Sequence, residues 1–92
     1  MQFSVTHTRQ TMGQQIHVVV TAAGGSELIS EVVTQFDGFT IGDDALAAGS
    51  TQYDRTFEGQ SAAIGATHTL VVTALDQSGT PHSSTSIWTD ES

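Results

Sequence analysis

Short runs rich in Val, Ile and Thr, with apolar and polar residues alternating, make up most of this chain. Nowhere do apolar residues recur at helical spacing for more than two turns. The alternation predicts a first strand over Gln2 to Thr8, with Phe3, Val5 and His7 on one face. A second runs from Gln14 to Ala22, with Ile16, Val18, Val20 and Ala22 inward. After an Ala23-Gly24-Gly25-Ser26 loop, a third spans Ile29 to Phe36, with Val32, Thr34 and Phe36 inward. Asp37-Gly38 then makes a two-residue turn, because such a turn needs positive φ at both positions and Asp and Gly tolerate it. Phe39 and Ile41, beyond the turn, are expected to share the inward face of Phe36.

Gly42 to Ser50 reads as a loose segment, with Ala45-Leu46-Ala47-Ala48 compatible with one helical turn. Alternation resumes over Thr51 to Glu58, with Tyr53 and Phe57 inward, and Gly59 to Thr67 connects. His68 to Leu75 is the clearest strand, with Leu70, Val72 and Ala74 inward; Asp76-Gln77-Ser78-Gly79 turns it back. The last strand, Ser83 to Thr89, puts Ile87 and Trp88 on opposite faces, and Pro81 falls in the turn before it. Fourteen Thr and ten Ser support the reading, since Thr suits a pleated, half-buried surface. About seven antiparallel strands at this spacing predict an all-β chain: one domain, residues 1–92, folded as a two-sheet sandwich.

Two segments carry a resemblance. Ile29-Ser-Glu-Val-Val-Thr-Gln-Phe-Asp-Gly-Phe-Thr-Ile-Gly42 is similar to the third strand, Asp-Gly turn and following strand of bacterial immunoglobulin-like domains. Gly65-Ala-Thr-His-Thr-Leu-Val-Val-Thr-Ala-Leu-Asp-Gln-Ser-Gly79 resembles their penultimate strand and final turn. The resemblance covers about a third of the chain and implies an immunoglobulin-like sandwich of the kind found in surface, secreted or virion-associated proteins. Such a fold hosts many unrelated functions.

Charge narrows the partners. Ten acidic residues face two arginines, Arg9 and Arg55, and no lysine, for a net charge of −8. A protein that neutralises phosphates needs a basic footprint, so nucleic acid and anionic membrane are poor partners. The acids are scattered, as on a surface kept soluble by like charge. No run approaches the roughly 20 apolar residues of a membrane helix, so membrane insertion is not expected. The first residues lack the basic start and apolar run of a signal peptide. Two origins fit: a module of a larger exported chain, or a small protein that leaves the cell by another route, such as within a virus particle. There is no cysteine to form disulfides.

Candidate chemistry is sparse. Ser, His and Asp all occur, but no Gly-x-Ser-x-Gly elbow, His-Glu-x-x-His pair or phosphate-binding glycine loop does. The expectation is no enzyme, no catalytic residue and no cofactor. His68 opens its strand where the bacterial immunoglobulin-like domains it resembles often have Tyr or His at an inter-sheet corner, which implies a structural role with its ring bonded to nearby backbone. His17 alternates outward into solvent. Calcium is the better metal candidate, since it takes about six to eight oxygens, largely from loop carboxylates and carbonyls. Strand directions put Glu27, the exit of the fourth strand at Asp43-Asp44, and Asp76 at one end of the sandwich. The ordinary account is that Asp populates turns by capping local backbone.

A partner surface follows from alternation. With the third, sixth and seventh strands side by side, Val33, Val71 and Ile87 fall on an outer face among Thr69, Thr73 and Thr85, with no charge in that set. That face suits a second copy or another protein. The functional expectation is a structural or adhesive module, a spacer or protein-recognition domain. A carbohydrate-binding module and a small cytoplasmic adaptor are the alternatives; sugar platforms display exposed Trp or Tyr, and here Trp88 and Tyr53 are both expected inward.

Overall fold

Each alternating strand has one apolar face to cover, and two sheets covering each other satisfy all of them at once. The computed structural model describes residues 1–90. Its strands are β1 (Gln2–Arg9), β2 (Gln14–Thr21), β3 (Ile29–Phe36), β4 (Phe39–Ser50), β5 (Gln52–Gln60), β6 (Thr67–Asp76) and β7 (Pro81–Thr89), with a short 3-10 turn at Gly25–Glu27. One sheet has the order β1-β2-β5 and the other β4-β3-β6-β7. Every pairing is antiparallel. This is an immunoglobulin-like β-sandwich in which the fourth strand lies beside the third; in constant-type immunoglobulin domains it lies beside the fifth.

The central strands supply the fully buried residues: Ile16, Val18 and Val20 from β2, Ile29 and Val32 from β3, and Leu70, Val72 and Ala74 from β6. Each such Val, Leu or Ile side chain contributes about 1.5–3 kcal/mol on burial, and Ala74 less. Phe36, Tyr53 and Phe57 close the core, and Phe3, Val5, Ile41 and Trp88 pack partly exposed against it. The Asp37-Gly38 turn has the expected geometry, with φ of 51° and 86°. Asp37 adds a reason of its own: its Oδ1 accepts the Thr69 N–H at 2.8 Å, tying the turn to β6.

Three expectations need correction. Gly42 to Ser50 is neither loose nor helical but the continuation of β4, a twelve-residue edge strand. Ala45 pairs with Glu31, and that pairing overrides the helical preference of alanine. Phe39 is not inward: it pairs with Phe36 across the turn but is 75% exposed, at the tip of an edge strand. Ile41 does pack against the core as expected, half-buried at a register shift between Thr34 and Gln35 that sets Gly42 opposite Thr34. Pro81 is the first residue of β7, a position where its missing N–H is tolerated.

Strand directions sort the connections. The β1–β2, β3–β4 and β5–β6 connections gather with the exit of β7 at one end, called here the Trp88 end. The β2–β3, β4–β5 and β6–β7 connections gather at the other, the Asp76 end. The molecule measures 43 × 19 × 18 Å, so groups at the two ends do not meet.

Candidate functional site

At the Trp88 end, β6 begins by turning His68 inward, where the ring is almost wholly buried. Its Nδ1 lies 2.6 Å from Asp37 Oδ2 and its Nε2 2.5 Å from Asp90 Oδ2. The ring meets two carboxylates, not the backbone expected from sequence. Carboxylates only accept, so both nitrogens donate and the ring is held as an imidazolium. Burial opposes the cation, but the hydrogen bonds it donates to Asp37 and Asp90 outweigh that cost and the His68 pKa is raised. For Asp37 the same balance runs the other way: burial opposes its charge, while the bonds from His68 and from the Thr69 N–H win and lower its pKa.

Aromatic rings wrap this ion cluster. Phe36 stacks on His68 with centroids 4.8 Å apart, and Trp88 lies tilted at 6.1 Å. His7 of β1 stacks on Trp88 at 4.4 Å, across the gap between the two sheets. Gln14 joins them, its Nε2 donating to Ser61 O at 2.6 Å and its Oε1 accepting from Trp88 Nε1 at 3.3 Å. A cavity of about 250 Å³ lined by His7, Arg9, Gln14, Thr89 and Asp90 opens beside this network. Because both His68 nitrogens carry donated protons, the ring has no lone pair to accept a proton or bind a metal. The arrangement fixes the Asp37 turn, β6 and the exit of β7 to one another.

The four acids considered for calcium are dispersed. Glu27 lies 2.6 Å from the Met1 amino group and lines a separate cavity of about 330 Å³ with Thr21, Ala22 and Ala23. Asp76 Oδ1 accepts from the Ser78 N–H and hydroxyl and from the Thr80 N–H, and Asp76 Oδ2 lies 3.0 Å from His82 Nε2. Hydrogen bonds from Ser78 and His82 hold its pKa well below the usual carboxylate range. Asp43 and Asp44 are not at the strand's exit, since β4 continues to Ser50. They sit partway along the sandwich on opposite faces, Asp43 opposite Val33 and Asp44 opposite Val32. Among the described residues, no group of three or more His, Cys, Asp or Glu side chains is placed to hold a metal ion.

Asp44 has a different role, one that alternation in sequence did not disclose. It points inward from β4, and its Oδ2 accepts from Tyr53 Oη at 2.5 Å and Arg55 Nη1 at 2.7 Å, both on β5. The Tyr53 hydrogen bond, helped by Arg55, outweighs burial and lowers the Asp44 pKa. Burial and the same carboxylate push the Tyr53 pKa up. Arg55 also lies over the Phe57 ring at 4.6 Å. β4 and β5 edge different sheets, so this cluster latches one long side of the sandwich.

The outer faces differ. On the four-stranded sheet Val33 pairs with Thr73, Val71 with Gln35 and Thr85, and Ile87 with Thr69. Val33 and Val71 are half-buried by neighbours, and Ile87 is 67% exposed. Toward β4 this face is charged: Asp43 flanks Val33, and its hydrogen bond to Glu31 raises the Glu31 pKa. The charge-free part therefore covers β6, β7 and the Gln35 end of β3. The outer face of the three-stranded sheet is polar, with His17 2.7 Å from Asp54 and Gln15 donating to Glu58.

No family model and no curated protein matches this chain.

Proposed function

We propose that this domain is a non-enzymatic recognition or spacer module of an exported or virion-associated assembly, docking through the outer face of its four-stranded sheet. The observation that carries the reading is the contrast between the outer faces. One is covered by hydroxyls, amides and the His17–Asp54 pair; the other presents Val71 and Ile87 among Thr69, Thr73 and Thr85, without charge. Exposed apolar area rimmed by polar side chains is the usual signature of a protein interface. The bacterial immunoglobulin-like resemblance supports the same class of role.

The aromatic rings do not favour sugar binding: Tyr53 is buried with its hydroxyl on Asp44, and Trp88 is covered by His7. The test is site-specific photocrosslinking in the native source, with a photoreactive residue at Val71 and, for comparison, at Val19 on the opposite face. Adducts with a defined protein from position 71 alone support the reading. Equal adducts from both positions, or none from either, would sink it.

A further inference from the structure

The sandwich has four edge strands; three carry charge, and two of those are also bulged. β4 carries Asp43 and Asp44 and shifts register twice against β3. β5 carries Asp54, Arg55 and Glu58 and shifts once against β2. β1 pairs with β2 in an unbroken register but carries one charge, Arg9, at its last residue. Charges and bulges are the usual means of keeping a sheet edge from pairing with another chain. β7 has neither. Pro81 to Thr89 contains no Asp, Glu, Lys or Arg and pairs with β6 in one unbroken register. Its proline stands at the first residue, where it blocks only the strand's tip.

The geometry points to β7 as a pairing edge for a second copy of this chain, the two β7 strands running antiparallel about a two-fold axis at Thr85. Centring on Thr85 uses the whole strand: Pro81 faces Thr89, His82 faces Trp88, Ser83 faces Ile87, and Thr85 faces itself. Opposed residues share a face, so His82 and Trp88 remain inward while Ser83, Thr85 and Ile87 extend the outer face. The same interface patch on both copies closes at a dimer, joining two four-stranded sheets into one of eight strands.

Charge selects the occupant. A partner of either sign finds no complementary charge on this edge, whereas a second copy brings an equally neutral strand. The chain's net charge of −8 does not forbid it, because the acids within this sheet's strands are Glu31 on β3, Asp43 and Asp44 on β4, and Asp76 at the last residue of β6. Glu31 of one copy and Glu31 of the other would be five strand spacings apart, roughly 24 Å. That is well beyond the screening length of about 8 Å at physiological ionic strength. Asp76 and Asp90, near the strand's two ends, each already face a histidine. An edge pair buries modest area, so the association is weak and calls for high local concentration, as in an assembly.

Thr85 is exposed on the outer face, so substitution there spares the fold. Thr85→Lys and Thr85→Asp should each melt like the parent yet dimerise several-fold more weakly by sedimentation equilibrium, because like charges meet at the axis. Mixing the two variants should restore dimer. Since the chain has no cysteine, Thr85→Cys should form a covalent dimer under mild oxidation. The opposed Cα atoms would be about 4.5–5.5 Å apart, within disulfide reach. Thr56→Cys, at the protected β5 edge, should crosslink much more slowly. A parent chain that stays monomeric to millimolar concentration, equal crosslinking at 56 and 85, or a mixture that fails to restore dimer overturns the proposal. The proposal stands apart from the docking face: adding Val71→Lys to the Thr85→Cys chain should abolish partner adducts from a photoreactive residue placed at Val33 on that face and leave the disulfide crosslink intact.

Discussion

The two long sides of the sandwich are built on opposite plans. Between β4 and β5 the sheets are latched: Asp44 bonds Tyr53 and Arg55, and Arg55 lies over Phe57. Gly42 leaves no room there, since a Cβ would come within 2.7 Å of the Phe57 ring. Between β1 and β7 there is no such latch among the described residues. The contact is made at the Trp88 end, where His7 stacks on Trp88 beside the buried His68 cluster. The first side spends its inward positions on charge and closeness, and its edges are bulged and acidic. The second leaves an even, neutral strand facing solvent. A sheet edge is blunted where its strands also bear charge for the interior, and left pairable where the inward positions are His82, Ser84, Ser86 and Trp88.

The largest expected effect tests whether His68 is the anchor of the unlatched side. His68→Leu keeps an apolar filler against Phe36 but leaves Asp90 buried without its cation. Breaking a buried pair in this way costs about 3–5 kcal/mol, to be measured by chemical denaturation at neutral pH. The parent should also show the sign of a raised histidine pKa. The cluster's contribution is complete below the unfolded value of about 6.5 and is lost as pH rises through the higher folded value. Asp37, whose pKa is lowered, adds stability above the ordinary Asp value that is lost in acid as pH falls through its folded value. A parent melt that does not decline as pH rises from about 6.5, or a His68→Leu variant that declines equally, would break the comparison.

Gly42→Val asks the same of the latched side. Forcing a branched side chain into the Phe57 ring should cost about 3 kcal/mol, the upper end of overpacking penalties. Ser83→Val on exposed β7 should stay within about 0.5 kcal/mol. Equal midpoints for the two would show that the latched side has room to give, and the contrast would fail.

These sites also show what sequence disclosed and what it hid. Strand order, the Asp37-Gly38 turn and the buried set Ile16, Val18, Val20, Val32, Leu70 and Val72 were legible because a period of two reports one covered face directly. The length of β4 was not. Its inward positions are Gly42 and Asp44, and the register shift at Ile41 breaks the alternation just before them. Arg55 lies between Tyr53 and Phe57 at an inward position, but a charged residue gives no hydrophobic signal. The burial of His68 could be expected from its place ahead of Leu70. Its partners could not, because Asp37 and Asp90 lie 31 and 22 residues away in sequence. Alternation reveals faces; non-local polar pairing needs the fold.

Asp44→Asn is a gentler way into the latch. The amide retains the shape and weakens the bonds from Tyr53 and Arg55. Because Asp44 is about a third exposed, water screens the pair, and a loss of about 1 kcal/mol at neutral pH is expected. Its pKa is lowered in the fold, so the contribution is present above the ordinary Asp value and disappears as pH falls through the folded one. The variant's acid limb should therefore be shallower than the parent's. An unchanged limb would mean that the acid sensitivity comes from the other carboxylates with lowered pKa, Glu27, Asp37 and Asp76.

Calcium is expected to have the smallest effect. A cation that binds only the folded state raises stability by mass action, but it needs several oxygens converging on one point. Here Glu27 and Asp76 lie at one end of the molecule, Asp43 faces out beside Glu31, and Asp44 is engaged by Tyr53 and Arg55. To recruit Asp44, calcium would have to displace an arginine and leave the Tyr53 hydroxyl buried without its acceptor. Asp76 would have to give up the Ser78 and Thr80 N–H groups that hold its turn. The melting temperature in millimolar calcium should thus match that in chelator to within about 1 °C, a shift too small to signify a bound ion in a domain of this size. A rise of several degrees that Asp44→Asn abolishes would show the carboxylate swinging out of its latch to meet the metal. The latched side would then be the more adaptable of the two.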